Sequence, residues 1–558
     1  MRFFLRSFLL VVLFFNALAA LQPLSRAQSP EESGPAAKPT QQNPALAAAD
    51  QLYRSGKFAE AESAYRSLIQ SDPNQLRAHT GLVRALLRQE KTDEALTTVS
   101  AAITAFGDLP SLLAAKGDVQ FRLGQISDAE ASYNDAKELD RKDLHVHLGL
   151  MRVYRTQSLY RSAYDELRRA HDIAPDDPEV QLPWSATLPL KDRIAALEAY
   201  LASPHPADED QTQRLTEVLA YLKATADKPA HACKIVSKVE RTEVRLNILR
   251  DLTNTRSGIG LTVALNNQNA DFQLDTGATG ILLTRRAAEK VKLTRLSDIH
   301  ISGVGDKGPQ TGYTAVADHI RIGELEFQDC VVQVADKPTG INQDGLIGAD
   351  IFSHFLIDID VPGPRLILSP LPKREEDSPV TPVLTIEGQE GNSHGGDASP
   401  NALDSGSRFK DRYIAPEMSK WTQVFRFGHS LLIPTNVNEA PPALFILDTG
   451  AFDNVLNVRA GREVTRVKSR LGSSVRGLSG PVKKVYSAKV TLGFSHLQQS
   501  NVDTVAVDLS DLSHGIGTEV SGLLGFAMLQ MLDIKLDYRD GLVNLTFDAK
   551  RVQNLLKK

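Results

Sequence analysis

Apolar and polar positions along this chain change period once, near residue 230. Before that point they recur at helical spacing. Ala61, Ala95, Ala129 and Ala163 stand 34 residues apart. Four residues after each come Tyr65, Val99, Tyr133 and Leu167, and three further on come Leu68, Ala102, Ala136 and Ala170. Positions i, i+4 and i+7 share one face of a helix. Small residues let two helices approach, and larger ones fill the groove of the next unit. Gly56 and Gly124 fall in turns between helices, while Pro73 and Pro175 end helices. The pattern predicts four stacked helical pairs, a solenoid. Further helical stretches at 190–201 and 212–226 read as caps, so the helical region spans 45–228.

After Cys233 the alternation becomes that of strands, as in Lys234-Ile235-Val236-Ser237-Lys238-Val239. Strand signals continue to 370. Residues 371–418, with Glu375-Glu376-Asp377-Ser378-Pro379 and a Gly-rich stretch, read as a linker. A second strand-rich segment occupies 419–550. The expected fold is thus multidomain: an all-α solenoid followed by two all-β lobes, 231–370 and 419–550.

The two β segments repeat one another. Asp275-Thr276-Gly277 follows Phe272-Gln273-Leu274, and Asp448-Thr449-Gly450 follows Phe445-Ile446-Leu447. A glycine-bearing turn comes 28 residues after Asp275, at Gly303-Val304-Gly305, and 29 residues after Asp448, at Gly477-Leu478-Ser479-Gly480. Gly345-Leu346-Ile347-Gly348 and Gly522-Leu523-Leu524-Gly525 come later, each before a short helix signal and closing strands. One Asp-Thr-Gly would be a common turn. Two with matching flanks point to paired carboxylates, which cannot both ionise at close range and so divide acid and base roles.

This order of motifs resembles a retropepsin-like aspartic protease lobe, here present twice, and the 34-residue period resembles tetratricopeptide repeats. The first resemblance implies a bilobal aspartic endopeptidase with Asp275 and Asp448 as the dyad. Thr276 and Thr449 would hydrogen-bond across the lobe junction. Gly277 and Gly450 would let the backbone turn tightly against the carboxylates. Gly303, Gly305 and Tyr313 in one lobe, and Gly477, Gly480 and Tyr486 in the other, are candidates for flaps over the cleft. The dyad is open to formation within one chain or between two. Phe452 and Asp453 place another carboxylate beside the second loop, and Ala527 stands where the first lobe has Asp350.

The N-terminus carries Arg2 and Arg6, an apolar run from Phe8 to Phe15, and Ala17-Leu18-Ala19. Residues 1–19 read as a signal peptide, since the apolar run of eight residues is short for a membrane span. Residues 20–44, rich in Pro, Gln and Ala, read as a disordered linker. Export to the periplasm, or secretion, follows. It permits a disulfide between Cys233 and Cys330, although two separate buried thiols fit the sequence equally well.

The formal net charge of -5 and scattered basic residues give no footprint for nucleic acid. His354, His429 and His514 stand isolated and read as surface or packing residues. With no metal-ligand spacing and no phosphate loop, neither metal nor other cofactor is expected. The expected partners are a protein or peptide substrate and a protein docked on the solenoid's concave face. The alternative is a non-catalytic scaffold in which repeats and lobes only bind peptide.

Overall fold

The computed structural model describes residues 43–226, 233–251, 253–305, 308–337, 342–374, 383–384, 410–470 and 475–556. The expected signal peptide lies outside them, as does nearly all of the expected linker at 20–44.

Four helical pairs open the fold: α1 (Pro44–Arg54) with α2 (Phe58–Ser71), α3 (Leu76–Arg88) with α4 (Thr92–Phe106), α5 (Pro110–Arg122) with α6 (Ile126–Leu139), and α7 (Leu144–Thr156) with α8 (Tyr160–Ile173). Three more helices follow, α9 (Pro178–Ser185), α10 (Leu190–Ala202) and α11 (Glu209–Thr225). All twelve residues of the three repeating columns are buried. Helices α3, α5 and α7 bury residues on most of their circumference, whereas α2, α4, α6 and α8 bury a single stripe. The first set therefore forms an inner layer. Tyr133 shows how the columns lock. Its ring lies against Gly117 of α5 and Gly149 of α7, where a Cβ would approach within 2.7 and 2.2 Å. Its hydroxyl donates to Asp118 at 2.7 Å, so the buried oxygen keeps a partner.

Each β lobe has a parallel strand pair beneath its Asp-Thr-Gly loop. In lobe 1, Gln268–Asp275 runs parallel to Gly345–Gly348, with Asp275 opposite Gly348. In lobe 2, Ala443–Leu447 runs parallel to Gly522–Leu524. Each pair is flanked by the strand after the loop, Ile281–Thr284 or Val455–Asn457. These short runs are apolar on both faces because both faces are covered.

The lobes are joined by a six-stranded sheet to which both contribute. At its centre, Phe355–Asp360 of lobe 1 pairs antiparallel with Leu532–Asp537 of lobe 2. Asp358 lies opposite Lys535, and Gly345 and Gly522 show that these two residues are 177-residue counterparts of one another. The pair therefore marks a local two-fold axis, and Lys535 meets Asp358 at 3.3 Å. Two lobes sharing a sheet through their closing strands are held in one register.

The solenoid is not tethered loosely ahead of the lobes. The turns inside its repeats dock on lobe 2. Thr518 Oγ1 donates to the Phe121 carbonyl at 2.6 Å, and the Glu519 amide to the Arg122 carbonyl at 2.9 Å. The rings of Phe121 and Phe427 lie 5.9 Å apart. Gly124, with φ +75°, brings its turn against Glu519 and Leu444. Ser162 binds the Asp411 carboxylate through both its amide and hydroxyl. His514 pairs with Glu90 in the α3–α4 turn. At the far end, α11 reaches lobe 1, where Glu217 accepts from the His300 amide at 3.1 Å.

Cys233 and Cys330 form a disulfide, which settles the alternative left open by sequence. Two residues of the expected linker, 383–384, form a strand paired with Cys233–Ile235. Among the described residues no helix is long and apolar enough to cross a membrane.

Candidate active site

Asp275 ends its strand in lobe 1, and Asp448 directly follows the corresponding strand in lobe 2. The loops that follow meet at the lobe junction. Thr276 donates its amide to Thr449 Oγ1 at 3.0 Å and its hydroxyl to the Leu447 carbonyl at 2.7 Å. Thr449 returns both bonds, to Thr276 Oγ1 at 3.0 Å and the Leu274 carbonyl at 2.9 Å. Both threonines are buried. Four buried hydrogen bonds across one junction fix the loops relative to each other, because breaking any one strands a polar group away from water.

The glycines explain how close the carboxyls come. A Cβ on Gly450 would stand 2.2 Å from Asp275 Oδ2, and one on Gly277 would stand 2.8 Å from Asp448 Cγ. Each carboxyl thus rests against the opposite lobe's glycine, and no side chain fits there. Gly277 donates its amide to Asp275 Oδ1 at 2.8 Å. Gly450 and Ala451 both donate to Asp448 Oδ1, each at 2.8 Å.

The electrostatics follow from this enclosure. Burial pushes the Asp275 carboxyl well above the ordinary carboxylate range, and the Asp448 charge adds to it. Burial also pushes Asp448 upward, against the pull of its amide donors and of the bond to Asp275. Two carboxyls in contact hold a proton between them, so the pair titrates as a unit. Such a pair can take a proton from water with one member and give one to a carbonyl oxygen with the other.

The flap candidates divide. Gly303 and Gly305 lie at the tip of the lobe 1 hairpin formed by Thr294–Ile301 and Gln310–Ile322. Gly477 and Gly480 flank the turn of a small hairpin in lobe 2. The tips interlock. The Gly303 amide donates to Ser479 Oγ at 3.1 Å, the Ser479 amide to the Val304 carbonyl at 3.0 Å, and Gln310 Nε2 to the Leu478 carbonyl at 2.7 Å. Leu478 of lobe 2 packs with Leu282, Ile301 and Ala335 of lobe 1, and Val304 of lobe 1 packs into an apolar cluster of lobe 2. Each tip thus seats on the opposite lobe. Tyr313 and Tyr486 are not at the tips. They sit half-buried on the stems, with Arg295 4.3 Å and Arg462 5.9 Å from their ring centres. Both rings pack against the main hydrophobic core, as a half-buried strand position favours.

Three further residues support the loops. Asp350 is buried and accepts from the Gly280 amide and Thr279 Oγ1, both at 3.0 Å. Asn454 does similar work in lobe 2, accepting from the Gly525 amide at 2.8 Å and donating to Gln499. Gln273 reaches across to the Gly450 carbonyl at 3.4 Å. Laid over one another, the two repeated segments set Asp350 against Ala527, so the support of each loop comes from a different place in its lobe. Among the described residues no group of His, Cys, Asp and Glu side chains could hold a metal ion.

Two family models match parts of this chain. An aspartyl protease family model matches residues 261–351, within lobe 1. A tetratricopeptide repeat model matches residues 46–110. Among solved structures, a retropepsin-like aspartic protease from Rickettsia conorii is 21% identical, over 24% of this chain and 94% of its own, with a TM-score of 0.18. A thermophilic tetratricopeptide-repeat protein from Thermus thermophilus is 19% identical, over 32% of this chain and 97% of its own, with a TM-score of 0.26. No curated protein matches the chain. The chain carries tetratricopeptide repeats ahead of an aspartyl-protease-type region.

Proposed function

We propose that this protein is an exported aspartic endopeptidase whose dyad, Asp275 and Asp448, is assembled within one chain. The observation that carries the reading is the meeting of the two Asp-Thr-Gly loops, with each carboxyl against the other lobe's glycine. In the reaction, the ionised aspartate removes a proton from a water molecule as its oxygen attacks the scissile carbonyl carbon. The protonated aspartate donates to the carbonyl oxygen. The tetrahedral intermediate then collapses, the C–N bond breaks, and a proton passes to the leaving nitrogen. No covalent intermediate with the protein forms.

The interlocked flap tips must part to admit a chain, then close on it. An extended substrate would add strand-like hydrogen bonds to the hairpins. Support for export comes from residues 1–19 and from the Cys233–Cys330 disulfide, a bond that persists in oxidising compartments. The solenoid, anchored to lobe 2 by its turns, recruits a protein partner or the substrate through its concave face.

The test is cleavage of an unfolded protein by the full mature chain, scanned from acid to neutral pH, with and without a pepstatin-type inhibitor. Cleavage that the inhibitor blocks, and that both Asp275→Asn and Asp448→Asn abolish, is the expected result. Folded protein that cleaves nothing at any pH, yet binds peptide equally well in both variants, would overturn it in favour of a scaffold.

A further inference from the structure

The outer strand of the lobe 1 flap is a sheet edge. Thr294–Ile301 stands at the end of the strand order of its sheet, beside Gln310–Ile322. An open edge presents backbone groups that lack partners. Here helix α11 of the solenoid packs along it. Glu217 makes the join with both carboxylate oxygens. Oε2 accepts from the His300 backbone amide at 3.1 Å, and Oε1 accepts from Nδ1 of the His300 ring at 2.5 Å. One carboxylate thus holds the backbone and the side chain of a single residue, and two charge-assisted bonds fix its orientation as well as its distance.

His300 is one rung from the place where the two flaps lock. It lies opposite Thr311, and the next rung is Ile301 opposite Gln310. That next rung carries the grip on lobe 2, since Gln310 Nε2 donates to the Leu478 carbonyl at 2.7 Å and Ile301 packs with Leu478. Just beyond, the Gly303 amide donates to Ser479 Oγ at 3.1 Å. The solenoid and the opposite lobe therefore hold adjoining rungs of one hairpin. Adjacent rungs are only ~3.3 Å apart. A tip that lifts from Leu478 and Ser479 carries the His300 rung with it, against the hold of Glu217.

Helix α11 is in turn held at its start by the first repeats. Asp208 caps it, accepting from the Gln211 amide at 2.7 Å. The Gln211 side chain accepts from Arg88 of α3 at 3.1 Å. The turn before α11 rests on the α1–α2 turn, where a Cβ on Gly56 would stand 2.6 Å from the Ala207 carbonyl oxygen. Glu217 lies six residues after Gln211, which is ~9 Å of helix. A short, stiff strut thus runs from the first two repeats to the flap.

We propose that Glu217 is a positioning residue for the lobe 1 flap, and that through it the solenoid sets how readily the interlocked tips part. The bond is a bias and not a lock. The His300 and Glu217 side chains are 40% and 21% exposed, and a pair so open to water shifts an equilibrium only a fewfold. The flap still opens on thermal motion, but it spends more of its time seated. The solenoid then has a mechanical part in proteolysis beside the recruitment proposed above.

This inference rests on the protease reading for its kinetic readout and not for its other one. In the full chain, Glu217→Ala should raise amide hydrogen exchange at 299–304 and 310–313 roughly three- to fivefold, with exchange at 522–524 in lobe 2 unchanged. Glu217→Gln keeps an oxygen for the His300 amide but loses the charge, and should give a smaller rise. With substrate, Glu217→Ala should raise KM roughly three- to fivefold and leave kcat within about twofold, because a seated flap holds substrate and transition state alike. Flap exchange that Glu217→Ala leaves unchanged overturns the inference. So does a rise of equal size in both lobes, which would mean general loosening. If the wild-type chain cleaves nothing, the protease reading fails, while the exchange measurement still decides the role of Glu217.

Discussion

In lobe 1 the loop after Asp275 is supported from beneath by a carboxylate, Asp350. In lobe 2 the loop after Asp448 is supported by an amide, Asn454, and the position of Asp350 is Ala527. Lobe 1 is closed by a disulfide, and lobe 2 is backed by the solenoid. Yet the threonine exchange is the same from either side, while the central strand pair keeps its register with unlike residues at its middle, Asp358 and Lys535. The difference has a physical pattern. Thr276 and Thr449 each bond to the other across the junction, so a change in one is felt by the other. Residues away from the axis face unlike neighbours and are free to diverge.

The comparison is broken most severely at the dyad. Asp275→Asn and Asp448→Asn should each lower kcat/KM by roughly a thousandfold or more, although their supports differ. Unequal losses would show that the off-axis groups reach the chemistry. Next comes the solenoid contact. Phe427→Ala should destabilise the protein by about 3 kcal/mol, measured by denaturant unfolding, because a buried ring is lost from the lobe 2 interface. Reducing Cys233–Cys330 should cost about 2–4 kcal/mol, and hydrogen exchange should rise in lobe 1 and not in lobe 2.

Thr276→Val and Thr449→Val should each cost about 1–3 kcal/mol, with equal values, and the double variant should cost less than their sum because they share one network. The smallest effect concerns Asp533, whose lobe 1 counterpart is Leu356. Burial, then the hydrogen bond and charge of Asp358, push its carboxyl up to about 7. A raised folded value means the unfolded chain releases its proton first. The stability contributed by the protonated carboxyl is present at low pH and lost as pH rises from the unfolded value toward 7. Asp533→Asn should therefore stabilise the protein by about 1 kcal/mol at about pH 8 and leave it unchanged near pH ~4, as read by Tm.

What was legible in the sequence lay in repeated spacing. The columns through Ala61, Tyr65 and Leu68 are buried because a solenoid repeats one packing problem, so one solution recurs. The two Asp-Thr-Gly loops carried their flanks with them. What was not legible depended on contacts between unlike segments. Gln273 reaches the Gly450 carbonyl of the other lobe, 177 residues further along the chain. Phe121 and Thr518, 397 residues apart, gave no sign of each other. The two stem tyrosines shared the glycine turns' neighbourhood in sequence, but strand register placed them away from the tips.

The central claim is that one chain supplies both halves of one dyad. Asp275→Asn and Asp448→Asn proteins, each inactive alone, should be unfolded, mixed in equal amounts, refolded together and assayed. A shared dyad within each chain predicts no recovery of cleavage in the mixture. Recovered cleavage would mean that lobes from different chains had paired, and would contradict the account.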